Sequence, residues 1–386
     1  MSITRRPTTL PLIATVALAA LFLVRGALHP QLNYDLIPYT ALAKDLRGVD
    51  GKAEAYRDLA ARVGKAGFPL YISGEYRERM YADNEFFQAN LPFYKIRPLY
   101  ILLSSQLGVL IHSDLAATYV ISAISAALAV LLSYAIGRRL GLEGHWLFAV
   151  PLAWIAVGGL NLAELSTPDA LATLITLLFV QQSLAGVWTG WRTIGLVLLA
   201  SLMITARTDT LLLLIFLLSL EWVYEPRHRR VCLLALAVAA STYVVIQKAS
   251  GNYGYVAILN FALADGGSHN IVPHLQLNLH GYLLMALHQA LQVLGEGFEE
   301  ALLFVAASLL TFVWLSRRRH ATSEFNTRLL ILSCALTFYL VARFILFPSP
   351  SARFMTTAYV LAGILFARAM QRVPLGLSAP PSALRY

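Results

Sequence analysis

Charge is scarce in this sequence, and the scarcity decides its class. Only 13% of its 386 residues are Asp, Glu, Lys or Arg, against roughly 25% in soluble domains. Hydrophobic residues make up 58% and mean hydropathy is +0.63, which excludes a soluble globular protein. Cysteine is nearly missing. Cys232 and Cys334 both fall inside apolar runs with no metal-ligand spacing, so they read as small packing residues and say little about redox compartment. Acids are the minority sign, and the net charge is +9. That excess does not point to nucleic acid, because the basic residues come in short clusters between apolar runs, the pattern of a topology signal.

What is present is a succession of long apolar runs. In lipid only helices or closed barrels satisfy the backbone, and these runs are too continuous for barrel strands. The expected fold is an all-α polytopic membrane protein forming one domain over 1–386. Arg5 and Arg6 precede an apolar run from Leu10 to Val24. A cleaved signal peptide has this look, but with many spans following, a retained first helix is expected.

Later basic clusters are Arg138-Arg139, Arg192, Arg227 to Arg230, Arg317 to Arg319 and Arg372. Between them lie apolar runs near 115–136, 145–160, 170–187, 193–206, 210–224, 231–247, 298–315, 328–346 and 356–371. With the first helix running outward, every cluster falls in the cytoplasm, both termini are inside, and about ten transmembrane helices result. The stretches Leu99–Ile111 and Tyr282–Leu294 are shorter than the roughly 20 residues of a spanning helix. They are expected to lie in the outer interface, inside a first outer loop (25–114) and a second (248–297).

The first loop carries its own signals. Asp50 is placed to cap a helix with Ala53, Tyr56, Leu59, Ala60 and Val63 on one face, broken by Gly64, Gly67 and Pro69. Residues 71–100 are dense in Tyr and Phe. They read either as an aromatic interface belt or as a stacking platform for a sugar.

The remaining charges are sorted by side. Asp35, Arg97, Glu164, Asp169, Arg207, Asp209, Arg343 and Arg353 all fall at outer helix ends or in outer loops, and few ionisable residues fall at mid-membrane depth. Transporters place such groups near the midplane, so this distribution favours an enzyme acting at one face. Simpler roles compete at each position. Thr167-Pro168-Asp169 has the form of an N-cap, a first-turn proline and a dipole-favoured acid, and Thr208-Asp209 shares the ambiguity. Glu164 suits a short hydrated loop, and Arg343 suits snorkelling. The segment 347–353, with Ser349, Ser351 and Arg353 ahead of the last span, has the makings of a phosphate cradle, and Arg97 before Pro98 offers a second cation. His269, His274, His280 and His288 match no tight zinc spacing and read as loop histidines.

Taken together, this order and sidedness resembles the GT-C superfamily of integral-membrane glycosyltransferases. The likeness covers most of the chain: an inside-starting first helix, and a long outer loop opening with an acid in an Asp-x-x-x-Tyr setting (Asp35 and Tyr39). It goes on with Arg97-Pro98-Leu99-Tyr100 before a short helix, Arg138-Arg139 after the next span, Asp169 at the start of the fourth and Arg207/Asp209 before the sixth. Two features depart from it. Many relatives carry two adjacent acids in the first loop, whereas Asp35 is flanked by Tyr34 and Leu36, and the chain is short, with no soluble C-terminal domain expected.

The resemblance implies transfer of a sugar from a polyprenyl-phosphate-linked donor to a hydroxyl of an envelope glycan, lipid or protein at the outer face of a bacterial inner membrane. It assigns Asp35 as general base. Arg97, Arg207, Arg343 and Arg353 are the contenders for the donor phosphate, with Tyr39, Tyr100, Glu164, Asp169 and Asp209 in support. The leaving group is already a phosphate, so no cofactor is required and no metal is indicated. The alternatives are a flippase for lipid-linked glycans, which calls for a polar path through the bilayer, and a non-catalytic binding protein, which does not need Asp35.

Overall fold

The computed structural model describes residues 9–186, 188–257, 259, 279–295, 324–347 and 352–371. Within these, regular structure is helical apart from one isolated bridge between Gln31 and Leu165. The expected run 298–315, the clusters Arg317–Arg319 and Arg372, His269, His274, Ser349 and Ser351 lie outside the described residues.

Helix α1 (Thr9–Leu28) packs against α9 (Asp114–Arg139), which packs in turn against α12 (Asp169–Ser183). Helix α9 is the central one, buried along most of its length, while α1 flanks it with one face exposed. Gly26 permits the α1 contact at its C-terminal end: a Cβ there would lie 2.4 Å from the carbonyl oxygen of Ala163 and 2.7 Å from the Cβ of Ala123. Helix α9 starts where expected, its Ser113 hydroxyl accepting from Ala116 N–H at 3.1 Å.

Between α1 and α9 the first loop folds into a cap of short helices. These are α2 (Leu36–Asp45), α3 (Gly51–Gly67), α4 (Pro69–Ile72), α5 (Glu75–Ala82), α6 (Asn84–Asn90) and α7 (Pro92–Lys95). Asp50 caps α3 as the sequence suggests, accepting from Ala53 N–H at 3.3 Å. The inward face of α3, however, is set by Ala55, Tyr56 and Leu59, and Ala53 is exposed. Gly64 breaks α3 at φ 70°. Helix α8 (Pro98–Ile111) is the expected short apolar helix and lies along α9 and α2.

The expected span 145–160 is a correction. It is interrupted into a 3-10 turn (Gly144–Phe148), α10 (Ala149–Ala156) and α11 (Gly159–Glu164), because Gly158 adopts a left-handed φ of 64°. The bundle continues with α13 (Trp191–Ala206), α14 (Thr210–Tyr224), α15 (Arg229–Ser250), α16 (Leu279–Gly295), α17 (Glu324–Leu346) and α18 (Thr356–Gln371).

Among the described residues, four helical segments are long and apolar enough to cross a membrane: Thr9–Leu28, Asp114–Arg139, Pro226–Ser250 and Thr327–Leu346. Several of them expose apolar side chains, including Leu10, Ile13, Val24, Leu233, Leu234, Val244 and Val245. An exposed apolar surface of this extent is a lipid-facing one, and the chain is a membrane protein. Helices α12, α13 and α14, of 15, 16 and 15 residues, each rise about 23 Å, less than a bilayer core.

Candidate active site

The site forms where the ends of six elements meet the cap, and the junction between α1 and α11 sets its floor. Glu164 is 5% exposed and pairs with Arg25 at 3.0 Å. It also accepts from Gln31 Nε2 at 2.8 Å, while Gln31 N–H donates to the Glu164 carbonyl at 2.9 Å. Ser166 N–H donates to Asn33 Oδ1 at 3.2 Å. These bonds zip residues 31–33 to 161–166 and carry Asp35 to the side of Thr167 and Asp169. Glu164 is therefore a strut of this junction and does not line the cleft.

Asp35 heads α2, yet its side chain caps no helix N–H. Its carboxylate is about one-third exposed (32%) and points into the cleft, where Oδ1 accepts from the Tyr94 hydroxyl at 3.3 Å and Oδ2 lies 3.8 Å from Arg353 Nη1. Tyr39, one turn on, lines the cleft and packs edge-on against Tyr94 and against Tyr100, at 5.3 and 4.9 Å between centroids. Tyr100 stands behind the wall, fully buried, donating to the Thr118 carbonyl at 2.9 Å. Burial pushes the Tyr39 and Tyr94 phenols well above their ordinary range, and the neighbouring Asp35 adds to it. Both therefore remain protonated hydrogen-bond donors at neutral pH.

Asp169 and Asp209 turn out to do more than end helices. The N-cap position of α12 falls on Pro168 with no side-chain cap, and Thr167 Oγ1 donates to Asp169 Oδ2 at 2.8 Å. Arg207 donates to Asp169 Oδ1 and grips Asp209 in a fork, Nε to Oδ1 at 2.9 Å and Nη2 to Oδ2 at 2.5 Å. Arg343 Nε lies 3.6 Å from Asp209 Oδ2, and its Nη1 donates to the Phe347 carbonyl at 3.0 Å. Burial by itself would raise the Asp209 carboxyl, but Arg207 and Arg343 outweigh it and hold it below the usual range. Burial would likewise lower the Arg207 guanidinium, and the two carboxylates raise it instead.

Arg353 sits in the 3-10 turn Ala352–Phe354 ahead of α18. The Phe354 ring carries three guanidiniums around it, Arg353 at 4.6 Å, Arg207 at 4.8 Å and Arg343 at 5.4 Å. Arg97 precedes α8, donates from Nη1 to the Phe93 carbonyl at 2.6 Å and lines the cleft.

The resulting cleft holds about 300 Å³. Its lining is partly ionic, with Asp35, Arg97, Asp169 and Arg353, and partly aromatic, with Tyr76, Phe93 and Tyr94 from the cap, along with Asn90. Of the residues singled out in sequence, Asp35, Tyr39, Arg97, Asp169 and Arg353 line this cleft. Arg207, Asp209 and Arg343 stand directly behind it, and Tyr100 and Glu164 serve as supports. Tyr94, Tyr76, Asn90 and Phe354 went unnamed. The aromatic density of 71–100 marks their neighbourhood, and nothing in the sequence distinguishes them from the other rings there. Among the described residues, no group of three or more His, Cys, Asp or Glu side chains is placed to hold a metal ion.

Comparison with known proteins finds no matching family model, no matching curated protein and no matching solved structure. The functional reading therefore rests on the geometry of this cleft.

Proposed function

We propose that the protein is a GT-C-like membrane glycosyltransferase, moving a sugar from a polyprenyl-phosphate-linked donor to a hydroxyl of an envelope glycan, lipid or protein. The observation that carries the reading is a carboxylate, Asp35, that shares a cleft with Arg97, Arg353 and aromatic side chains at the end of an apolar bundle. In such a reaction the acceptor hydroxyl oxygen attacks the anomeric carbon. The bond from that carbon to the phosphate oxygen breaks, its electron pair stays on the phosphate, and the hydroxyl proton goes to Asp35. Attack opposite the leaving group inverts the anomeric centre.

Charge supports the phosphate assignment. Asp35, Arg97 and Arg353 sum to +1 (two cations less one carboxylate), which balances the single charge of a phosphodiester donor. As the bond breaks, the departing monoester gains a second negative charge, and guanidiniums held in place before the reaction stabilise it. The Phe93 and Tyr76 rings suit the apolar face of a sugar, which favours the stacking alternative for the 71–100 segment over an interface belt.

The same reading has about ten spans, counting the interrupted segment 144–164 as one and α12 to α14 as short ones, both termini in the cytoplasm and the cleft at the outer face of the inner membrane. Its support is that Asp35, Asp169, Arg207, Arg343 and Arg353 gather at one end of the bundle. Arg139 is at the other, donating to the Gln181 carbonyl at 3.0 Å, as the positive-inside rule requires.

The test is a glycan and lipid profile of cells carrying wild type, a deletion or Asp35→Asn, followed by transfer from labelled polyprenyl-phosphate sugars in membranes. Loss of one glycan in the deletion and in Asp35→Asn is expected. Full restoration by a normally expressed Asp35→Asn protein would remove the base assignment and leave a binding protein.

A further inference from the structure

The seven ionised side chains at the cleft fall into two groups. The inner group is closed: Arg207 and Arg343 are the cations, Asp169 and Asp209 the carboxylates, and the charges cancel (two against two). Asp169 lies 3.9 Å from Arg353 as well, but its charge is met by Arg207 and its second oxygen already accepts from Thr167. The outer group is Asp35, Arg97 and Arg353. Within it Arg353 has Asp35 as its counter-ion, at 3.8 Å, too long for a hydrogen bond, with both side chains about one-third exposed (33% and 32%). A pair of this kind is screened and weak. Its guanidinium is nevertheless kept in the cleft by the Phe354 ring beneath it at 4.6 Å.

We propose that Arg353 is an exchangeable latch on Asp35. In the empty cleft it is the ion partner of Asp35; an incoming isoprenyl phosphate takes the guanidinium for itself, and Asp35 is left unpaired as a base. This rests on the phosphate-sugar reading above and adds an order of events to it, in which the carboxylate becomes available only once the phosphate is seated. The preference is chemical. A phosphate offers oxygens matching the planar guanidinium fork at hydrogen-bond distance, whereas Asp35 is tethered by Tyr94 and meets Arg353 only at 3.8 Å. Exchange needs no backbone movement, since the ring contact can persist while the partner changes. It also keeps the empty site from holding an unpaired base beside a hydrated aromatic cleft.

The experiment is a double-mutant cycle on the full-length protein in lipid nanodiscs, with farnesyl phosphate as the probe and calorimetry as the readout. Asp35→Asn is expected to bind farnesyl phosphate about fourfold more tightly than wild type, because the latch is already open. In an Arg353→Gln background the same Asp35→Asn change is expected to gain less than about twofold. Arg353→Lys, which keeps the charge without the fork, guards against misfolding of the Gln variant and is expected to lie between. An equal gain in both backgrounds would mean plain repulsion between Asp35 and the probe, and the latch would be overturned while the phosphate site stood. No gain in either background would overturn it as well. Absence of binding by every variant would overturn the latch and the phosphate-sugar reading together.

Discussion

The two ends of α12 each carry a buried ionic cluster, and the comparison shows what turns such a cluster into a site. At the Asp169 end, four charged side chains border about 300 Å³ of open cleft, with Arg207, Asp209 and Arg343 behind them. At the Ser183 end, Glu221 bonds His228 Nδ1 at 2.7 Å, and the His228 ring stacks on Trp188 at 4.3 Å and 3°. Arg328 donates there to the carbonyls of Ser183, Ala185 and Gly186 at 2.6, 2.7 and 2.6 Å. The space beside that cluster is about 20 Å³. Its guanidinium closes the C-terminal carbonyls of α12, and its rings fill the volume a ligand would need. Buried charge is common to both ends; open room belongs to only one.

The sharpest way to break this contrast is Asp35→Asn. It is expected to lower transfer by about 10²–10⁴-fold while the melting temperature stays near wild type, measured on labelled-donor transfer and thermal unfolding of the same preparation. Next, Arg207→Ala leaves Asp209 with Arg343 at 3.6 Å and Asp169 with Arg353 at 3.9 Å as the remaining cations. It is expected to cost about 3–5 kcal/mol of stability, read as loss of folded protein in detergent. An Arg207→Ala protein with wild-type melting would show that the inner group is not structural.

At the far end, Arg328→Met uncovers three carbonyls and is expected to cost about 1–3 kcal/mol, with transfer per folded molecule unchanged. A selective loss of transfer there would mean that the two ends are coupled. Acid separates them more gently. Asp209 holds its proton less tightly folded than unfolded, so its contribution is complete above the unfolded value of about 4 and is lost as pH falls through the lower folded value. The melting difference between wild type and Asp209→Asn is expected to shrink between pH 5 and pH 3. Smallest is Tyr94→Phe, which removes one hydrogen bond to Asp35 and is expected to slow transfer by roughly fivefold, about 1 kcal/mol, with little change in donor affinity.

Much of this arrangement was legible because sidedness is written in charge. Asp35, Arg97, Asp169, Arg207, Asp209, Arg343 and Arg353 are scattered over more than 300 positions, yet assigning each apolar run a direction puts them at one end. Their division of labour was not legible. Arg207 and Arg353 are equivalent as cations on a loop, and only packing shows that one is clamped by hydrogen bonds to two carboxylates while the other stands 3.8 and 3.9 Å from its nearest carboxylates. Glu164 belongs to the same lesson, since its partner Arg25 is 139 residues away. The break at Gly158 was missed for another reason. Hydropathy over 145–160 is continuous, and a left-handed glycine costs that signal nothing.

The close approach of Gly26 to α11 bears on how portable the first helix is. A membrane anchor in general is interchangeable, since any apolar segment of the right length holds a domain to a bilayer. Here the chain leaves α1 through Arg25, Gly26 and Gln31 straight into the strip of bonds that seats Asp35. A substitute anchor with a side chain at position 26 would have to stand off from the Ala163 carbonyl, and the Asp35 carboxylate would move with it. The first helix is thus part of the tooling that aligns the site, and a chimaera carrying a foreign anchor would insert into the membrane and still be misassembled.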